Sequence, residues 1–384
     1  MRLARGLRCA ATFVLLLPAA LGGLPAPGSP APLDVRDPRW GVKADGRSDD
    51  TVALQRVLDA AGPGRSVRVP AGVYRVDARV SLRPRSGTTL ELAAGAVLKA
   101  LPNASPRSAV LLLADVADVT VRGGTVEGER AGHRGQGGEW GHGVSVLRSR
   151  RVLVEDLTAR ECWGDGFYIS GGQAVVLRRV VADHNRRQGL SVTGVKGLQV
   201  LGSTFRRTGG TLPEDGIDLE PNPGETVEDV LIQDCRLLDN AGFGLEIGVP
   251  LASTGKAWIR GVRAQSNEVR GNGVRTLSAT PRAGIEVSNC EGTRLSGNRV
   301  SGNGLGILLR NGANRCVVSG NQVDRNAGDG IHQYLCAGNL IQGNRIWGNA
   351  GAALRSPDSW AGGVRDNRLD PPSTDGTQGP PTKR

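Results

Sequence analysis

A short pattern of apolar and polar positions recurs through the middle and C-terminal parts of the chain. Each copy is a glycine followed by an apolar, a variable and an apolar residue, as in Gly216-Ile217-Asp218-Leu219. The copies begin at Gly143, Gly166, Gly189, Gly216, Gly244, Gly284, Gly306 and Gly330, with a degenerate last copy at Ala353. This alternation is typical of β-strands, whose successive side chains point to opposite faces.

The spacing of these copies predicts how the strands are arranged. Subtracting their positions gives steps of 23, 23, 27, 28, 40, 22, 24 and 23 residues. A basic unit of about 22 to 23 residues with loop insertions indicates the coils of a parallel β-helix. Each glycine would mark a corner where the backbone needs freedom that a Cβ denies.

Asparagine forms a second periodic signal between the glycines. Asn tolerates left-handed turns and can hydrogen-bond its own kind one coil away. We therefore predict structural ladders rather than a site at these asparagines. They are Asn298, Asn303, Asn321, Asn326, Asn344 and Asn349.

The chain divides into four segments. Residues 1–26 have basic residues followed by an apolar run too short to span a membrane comfortably, which predicts a signal peptide and a secreted or periplasmic protein without a membrane span. We predict a linker over 27–37, one β-helix domain over 38–369 and a disordered tail over 370–384. Asp49 or Asp50 would cap a short helix whose apolar face covers the N-terminal end of the solenoid.

The N-terminal block resembles the signature of the pectate-lyase-like superfamily, which includes polygalacturonases, alginate epimerases and phage tailspike depolymerases. The matching residues are Gly41, Asp45-Gly46, Asp49-Asp50-Thr51, Gln55 and Pro70-Ala71-Gly72-x-Tyr74. With the downstream coils the resemblance covers roughly residues 38–368. It implies an all-β, single-stranded, right-handed parallel β-helix that acts on polysaccharide. It does not determine the reaction.

Acidic residues concentrate on one face of the middle coils. Mid-strand acids that point outward are unusual in strands and are not explained by turn chemistry, so we interpret them as functional. We expect this face to be exposed, so that truncating Asp218 would leave the fold intact. The predicted catalytic residues are Asp215, Asp218, Glu220 and Glu246.

Polar and aromatic residues near these acids are candidate substrate-binding residues. Long loop insertions at 207–214, 221–228 and 249–283 flank the same coils, and binding sites are usually built on such loops. Aromatic rings can stack on sugars, and arginines can pair with uronate carboxylates. The candidates are Trp140, Trp163, Asp165, Tyr168, His184, Arg186, Arg187 and Glu286.

The spacing of the acids permits several reactions. Asp218 and Glu220 would be roughly 6.6 to 7 Å apart along a strand and Asp218 and Glu246 about 4.8 Å apart on adjacent coils. These separations are close to those of inverting and retaining glycosidases. Our leading hypothesis is hydrolysis, with Asp218 and one of Asp215, Glu220 or Glu246 as acid and base.

Two other functions remain open. The first is a uronate lyase or C5-epimerase that uses Tyr168, His184 or an arginine as proton shuttle, and the second is a non-catalytic glycan-binding solenoid. The segment Asp215-Gly-Ile-Asp218 is similar to the Asp-Gly-x-Asp element of polygalacturonases, but Phe243-Gly-Leu-Glu246 stands where that family has an Asp-Asp pair. The family's downstream His-Gly and Arg-x-Lys elements have no match.

The net charge and the cysteine spacing indicate which classes of ligand the protein could bind. The chain has 48 basic and 37 acidic residues, a net charge of +11, which favours an acidic polymer. No nucleic-acid motif is present. We expect no cofactor, with calcium on Asp215, Asp218 and Glu220 as the alternative. The cysteines after the signal match no metal motif, and we expect mostly buried, apolar roles for them.

Overall fold

The structure is a computed structural model that describes residues 31–280, 282–356 and 363–369. The predicted signal peptide and the predicted tail lie outside the described residues. One α-helix, Thr51–Ala60, and three 3₁₀ helices, Pro38–Trp40, Arg130–Gly132 and Leu251–Ser253, are present in these ranges. No helix in these ranges has both the length and the apolar character needed to cross a membrane. The remaining regular structure consists of strands.

The first of three parallel sheets has 14 strands. Its strands are Leu33–Asp34, Ser66–Val69, Thr89–Leu92, Ala117–Arg122, Arg150–Glu155, Gly172–Arg178, Val195–Leu201, Thr226–Gln233, Trp258–Arg260, Arg263–Gln265, Arg294–Ser296, Val317–Ser319, Leu340–Gln342 and Gly363–Arg365. Apart from Trp258–Arg260, which pairs beside Thr226–Gln233, they stack in chain order.

The second sheet has ten strands and carries the candidate site. Its strands are Arg107–Ala114, Trp140–Leu147, Phe167–Ser170, Leu190–Val192, Ile217–Leu219, Leu245–Gly248, Ala283–Ser288, Leu305–Arg310, Ile331–Tyr334 and Leu354–Arg355. They also stack in chain order, because each coil adds one strand to the sheet.

The third sheet has 13 strands and completes each coil. Its strands are Asp45–Asp49, Gly72–Val76, Ala96–Ala100, Thr125–Glu127, Thr158–Arg160, Val181–Asp183, Thr204–Arg206, Arg236–Leu238, Glu268–Arg270, Arg299–Ser301, Gln322–Asp324, Arg345–Trp347 and Arg368–Leu369. Three stacked parallel sheets around one apolar core confirm the predicted parallel β-helix.

The register of the second sheet confirms the alignment of the sequence repeat. The apolar residue that follows each repeat glycine pairs with its counterpart one coil away, without a slip. These residues are Val144, Phe167, Leu190, Ile217, Leu245, Ile285, Ile307, Ile331 and Leu354. All except Leu354 are buried, because the inward positions of every coil fill the core between the sheets.

The solenoid begins earlier than its sequence predicts. Leu33–Asp34 pairs with Val67 and Arg68, and Leu33 and Val35 are buried. The linker predicted over 27–37 therefore already contains a strand, because these apolar side chains complete the first coil. The helix Thr51–Ala60 is present as predicted.

Side chains and caps fix the helix against the first coils. Leu54, Val57 and Leu58 of the helix are buried in the same core as the first strands. Asp49 accepts a hydrogen bond from the Thr51 N–H and so caps the helix. Asp50 occupies the N-cap position, but its carboxylate accepts from two backbone N–H groups of the preceding loop.

The predicted asparagine ladders are confirmed as two buried columns. In each column the side-chain oxygen of one Asn accepts hydrogen bonds from the backbone N–H and the side-chain amide of the Asn one coil earlier, as Asn303 does from Asn272. The columns are Asn240, Asn272, Asn303, Asn326 and Asn349, and Asn267, Asn298, Asn321, Asn344 and Asn367. The second donor of each side-chain amide binds a backbone carbonyl, as Asn303 binds that of Val269. These columns are structural.

The five described cysteines are all free thiols. Cys162, Cys235, Cys290 and Cys316 are buried, and Cys336 is half-buried. The prediction that they act mostly as small buried residues is confirmed for the first four.

Candidate functional site

The outward face of the second sheet brings the mid-strand acids side by side. Asp218 pairs in register with Glu246, and Glu246 with Glu286. Adjacent parallel strands lie about 4.8 Å apart, so the three carboxyl groups are close neighbours. Asp215 precedes the same strand as Asp218, and Glu220 follows it.

This acid cluster, defined as Asp215, Asp218, Glu220, Glu246 and Glu286, is far more buried than predicted. Asp215 and Glu286 are 0% exposed and Asp218 is 1% exposed, whereas Glu220 and Glu246 are half-buried. The prediction that Asp218 lies on an exposed face and buries nothing is therefore wrong. The physical reason is that neighbouring polar side chains cover Asp218, including Gln188, whose amide donates to the Asp218 carboxylate.

One carboxyl oxygen of Asp215 lies within 4.8 Å of one carboxyl oxygen of Glu246. Carboxyl groups crowded in this way favour retention of a proton. Burial raises the pKa of both groups well above the usual range; the Asp218 charge raises the pKa of Asp215 further, and the charges of Asp215 and Glu286 raise the pKa of Glu246 further. Asp215 Oδ1 also accepts a hydrogen bond from the Phe243 N–H, while its Oδ2 is buried without a partner.

Asp218 lies between Glu220 and Glu246. Burial raises its pKa well above the usual range, and the charges of Glu220 and Glu246 add to this effect. The Gln188 amide donates to Asp218 Oδ2, but Oδ1 is buried without a hydrogen-bond partner. The middle of the cluster is thus crowded with carboxyl groups and short of donors.

Two arginines act in the opposite direction on Glu220. Burial raises the pKa of Glu220, whereas the positive charges of Arg187 and Arg282 lower it. Both arginine charges therefore favour the ionised form of Glu220.

A second polar group precedes the acid cluster by two coils. The His142 ring stacks on Tyr168 with centroids 4.7 Å apart, and its Nδ1 lies 3.3 Å from Asp165 Oδ2. Burial lowers the pKa of His142 to about 3, so its ring is neutral, and burial raises the pKa of Asp165 to about 7. The Tyr168 hydroxyl lies 3.3 Å from the Thr193 hydroxyl.

Arg187 joins these two groups. Its Nε donates to Glu139 at 2.9 Å, and its Nη1 donates to both Asp165 oxygens at 3.4 Å and to the Gln188 side-chain oxygen. Because Gln188 in turn donates to Asp218, a continuous hydrogen-bonded chain connects Asp165 with the acid cluster.

Four predicted substrate-binding residues lie apart from this chain. The Trp163 ring lies between His133 and the Arg186 guanidinium, at 3.9 and 3.8 Å, so both faces of the ring are occupied. Trp140 is 38% exposed, and the Arg107 guanidinium lies over its ring. His184 directly follows the strand Val181–Asp183 of the third sheet, and its Nδ1 lies 2.6 Å from Glu161. Within the described ranges, no hydrogen bond or ion pair joins Trp140, Trp163, His184 or Arg186 to the acid cluster.

Part of the acid cluster has the geometry of a cation site. One oxygen from each of Asp215, Asp218 and Glu246 lies within 4.8 Å of the others, and the described residues contain no other such group of three donors. Carboxylate oxygens are the ligands that calcium prefers. The sequence-based set named Glu220 as the third ligand, whereas the structure brings Glu246 into that place.

Three residues near the site were not among those predicted from the sequence. His142 and Gln188 belong to the row that precedes each repeat glycine, in line with Asp165 and Asp215, so the alignment contained their signal. Arg282 ends the longest insertion, where no periodicity fixes a position. Only the structure places it beside the acids.

Comparison with known families agrees with this architecture. Residues 111–273 match the family described as a right handed beta helix region. Together with the three parallel sheets, this match identifies the fold as a right-handed parallel β-helix. Residues 252–375 match the family described as periplasmic copper-binding protein (NosD).

Individual proteins resemble the chain at low identity. The uncharacterized protein YclG of Bacillus subtilis is 26% identical over 214 residues, which are 47% of this chain and 37% of that protein. The Azotobacter vinelandii mannuronan C-5 epimerase AlgE4 A-module has a TM-score of 0.62 and 17% identity, with 88% of this chain and all of that chain covered. A Thermotoga maritima exopolygalacturonase has a TM-score of 0.61 and 12% identity, with 88% and 92% covered. These structures share the fold.

Proposed function

We propose that this protein is a polysaccharide-active enzyme that hydrolyses glycosidic bonds with the carboxyl groups of the acid cluster. The observation that carries the proposal is the group of carboxyl oxygens of Asp215, Asp218 and Glu246, which lie within 4.8 Å of one another beside Glu220. A carboxyl group that keeps its proton near neutral pH is a suitable general acid. The names of the similar structures, a mannuronan C-5 epimerase and an exopolygalacturonase, support a polysaccharide as the substrate.

The burial of the acids suggests their roles. Glu246 is half-buried and keeps its proton with the help of Asp215, so we assign it as the acid that protonates the leaving oxygen. Glu220 is also half-buried, and the charges of Arg187 and Arg282 favour its ionised form, so we assign it as the base. Asp218 lies between them and raises the pKa of Asp215.

The separation of this pair bears on the stereochemistry. Glu220 and Glu246 are on adjacent coils and offset by two residues, which places their backbones about 8 Å apart. Side chains on backbones this far apart can hold their carboxyl groups about 6.5–9.5 Å apart, the separation at which an inverting glycosidase accommodates a water molecule. We therefore expect inversion at the anomeric carbon.

Product analysis tests the proposal. Wild-type protein is incubated with a panel of neutral and uronic polysaccharides, with and without EDTA, and reducing ends, ultraviolet absorbance and the anomeric proton spectrum are recorded. We expect new reducing ends of inverted configuration, no absorbance from unsaturated sugars and no loss with EDTA. Unsaturated products, or no product on any polymer, would contradict hydrolysis.

A uronate lyase or C5-epimerase is the second candidate. It is favoured by the unpartnered buried oxygens of Asp215 and Asp218, which have the surroundings of cation ligands. In that case Asp215, Asp218 and Glu246 would hold calcium, which would neutralise a uronate carboxylate, and Tyr168 would be the candidate proton shuttle. Calcium titration calorimetry separates the candidates, because binding that is lost in Glu246→Gln supports the second one.

Copper does not fit the described residues. Copper in proteins is held by Cys, His or Met, and Met1 is the single methionine of the chain. The Cys290 and Cys316 thiols are buried, which raises their pKa to about 12 and about 11, and no group of three donors in the described ranges contains Cys or His. We derive no copper chemistry. A secreted or periplasmic location remains part of the proposal.

A further inference from the structure

Three arginines surround the acid cluster, and two of them are fully engaged. Arg187 binds Glu139, Asp165 and Gln188. Arg310 binds Glu286 at 2.8 Å. Both guanidinium groups are therefore already paired with acidic side chains of the protein.

Arg282 differs from both. Its guanidinium lies 4.5 Å from the centre of the Phe243 ring, and its side chain makes no hydrogen bond or ion pair with any described residue. Its Nε is buried without a partner. Phe243, on which the guanidinium stacks, donates its backbone N–H to Asp215 Oδ1, so Arg282 lies beside the acid cluster, and its charge lowers the pKa of Asp215, Glu220 and Glu286.

A buried donor without a partner is costly, so a half-buried arginine whose buried Nε has no partner is typical of a ligand-binding residue. Aromatic stacking fixes the plane of the group and leaves its edge for bidentate binding of a planar anion. We infer that Arg282 binds an anionic substituent of the substrate, a uronate carboxylate or a sulfate ester, beside the acid cluster. This inference rests on the proposed function and adds the class of sugar.

The position of Arg282 is fixed by the loop 271–280. The buried Glu214 carboxylate accepts hydrogen bonds from the Leu277 N–H at 2.8 Å and the Thr276 hydroxyl at 3.3 Å, and from the Gly210 N–H of the neighbouring insertion at 2.9 Å. Glu214 thus ties two loops together in the segment that precedes Arg282.

A glycine completes this arrangement. Gly273 has φ +71°, and a Cβ there would lie 2.6 Å from both the Cβ and the carbonyl oxygen of Arg282. Gly273→Ala therefore has to move Arg282, although it leaves the charge of the protein unchanged. It is a second variant that tests the inference without removing a cation.

Affinity electrophoresis in gels containing polygalacturonate, dextran sulfate or neutral dextran tests the inference. Arg275→Gln is the matched control, because Arg275 lies exposed in the same loop and its loss changes the net charge equally. We expect Arg282→Gln to lower the affinity for one anionic polymer about 10- to 100-fold, the range of a charged hydrogen-bonded pair, with Arg275→Gln unchanged. Gly273→Ala should show a loss of the same kind.

Each outcome has a distinct meaning. A loss on polygalacturonate alone identifies a carboxylate, and a loss on dextran sulfate alone identifies a sulfate ester. Equal retention of Arg282→Gln and Arg275→Gln, or wild-type retention that is no stronger on the polyanions than on dextran, overturns the inference. Hydrolysis of a neutral polymer with no effect of Arg282→Gln would sink the inference and leave the proposed function standing, whereas Arg282-dependent binding without turnover would do the reverse.

Discussion

The asparagine columns and the acid cluster are both stacks of buried polar residues, and they differ in how many of their hydrogen-bonding atoms have partners. In the asparagine columns both side-chain donors and the acceptor of Asn303 have partners within one coil. In the acid cluster, Asp215, Asp218 and Glu286 each keep a buried oxygen without a partner. The same coil-to-coil register thus gives the asparagines hydrogen-bond partners but leaves the acids with unpaired, ionisable oxygens.

The difference follows from the chemistry of the two side chains. An amide carries donors and an acceptor, so identical copies can bind one another along the axis. Ionised carboxylates carry only acceptors, so identical copies repel unless protons or cations lie between them. Stacked acids are therefore poor structural elements, and their presence indicates function.

The largest expected effect is on turnover. Glu246→Gln removes the proposed acid and keeps the shape of the side chain, so we expect the rate to fall about 10²- to 10⁴-fold. Reducing-end release under saturating substrate measures it. Asp329→Asn, an acid in the same sheet that is bound to Arg355, is the matched control and should keep its rate. Equal rates for Glu246→Gln and wild type would remove Glu246 from the mechanism.

The asparagine columns should affect stability and not turnover. Asn303→Ala removes the side-chain partner of the Asn272 N–H and of the Val269 carbonyl, and it leaves the Asn326 side-chain oxygen with only the backbone N–H of residue 303. We expect a loss of about 3–5 kcal/mol in the free energy of unfolding, measured by urea denaturation. Asn222→Ala, on an exposed loop, should cost less than about 0.5 kcal/mol. A small loss for Asn303→Ala would mean that the columns are not structural.

The contributions of Asp218 and Asp329 to the stability of the fold should change in opposite directions with pH. Folding raises the pKa of Asp218, so its contribution to stability is full below the unfolded pKa of about 4 and is lost as the pH rises toward the folded pKa. Asp218→Asn should therefore gain stability relative to wild type between pH 4 and 7, by at least about 1 kcal/mol. Thermal unfolding across this pH range measures it, and a constant difference would contradict the raised pKa.

Asp329 provides the opposite case. Burial acts to raise its pKa, but the Arg355 guanidinium and the Ala352 N–H hold the pKa below its usual value. Its contribution to stability is therefore present above the unfolded pKa and is lost as the pH falls through the folded pKa. Asp329→Asn should lose about 1 kcal/mol at pH 7 and nothing in strong acid. A variant that is as stable as wild type at pH 7 would contradict this.

The smallest expected effect concerns the loop beside the acids. Glu214→Ala should release the loop 271–280 and raise the rate of tryptic cleavage after the exposed Arg275 several-fold, because locally opened chains are cut more readily. Fragments are followed by mass spectrometry. Glu225→Ala, in another insertion, should leave the cleavage rate unchanged. No difference between the two variants would show that Glu214 does not hold the loop.

Much of the fold could be predicted from the sequence, because its determinants are local and repeated. The spacing of the glycines set the register of the second sheet through Gly143 to Ala353, and the Asn spacing set the ladders. The start of the solenoid could not be read in this way, since Leu33 and Val35 belong to no repeat.

The site was only partly predictable for a related physical reason. Asp218 and Glu246 follow the period, so their proximity could be predicted, but their burial could not. That burial depends on groups such as Gln188 that reach across from neighbouring rows. Arg282 lies in an insertion, where sequence spacing carries no information about position.

The most direct test of this account is a pH titration of the carboxyl groups themselves. Carbon NMR of protein labelled at the Asp and Glu carboxyls would be compared between wild type, Asp218→Asn and Glu246→Gln. We expect wild type to show carboxyl signals that still titrate above the ordinary range of about 4, and we expect these signals to be lost or shifted in both variants. Titration of every acid in the ordinary range would contradict the claim that the acid cluster retains protons for chemistry.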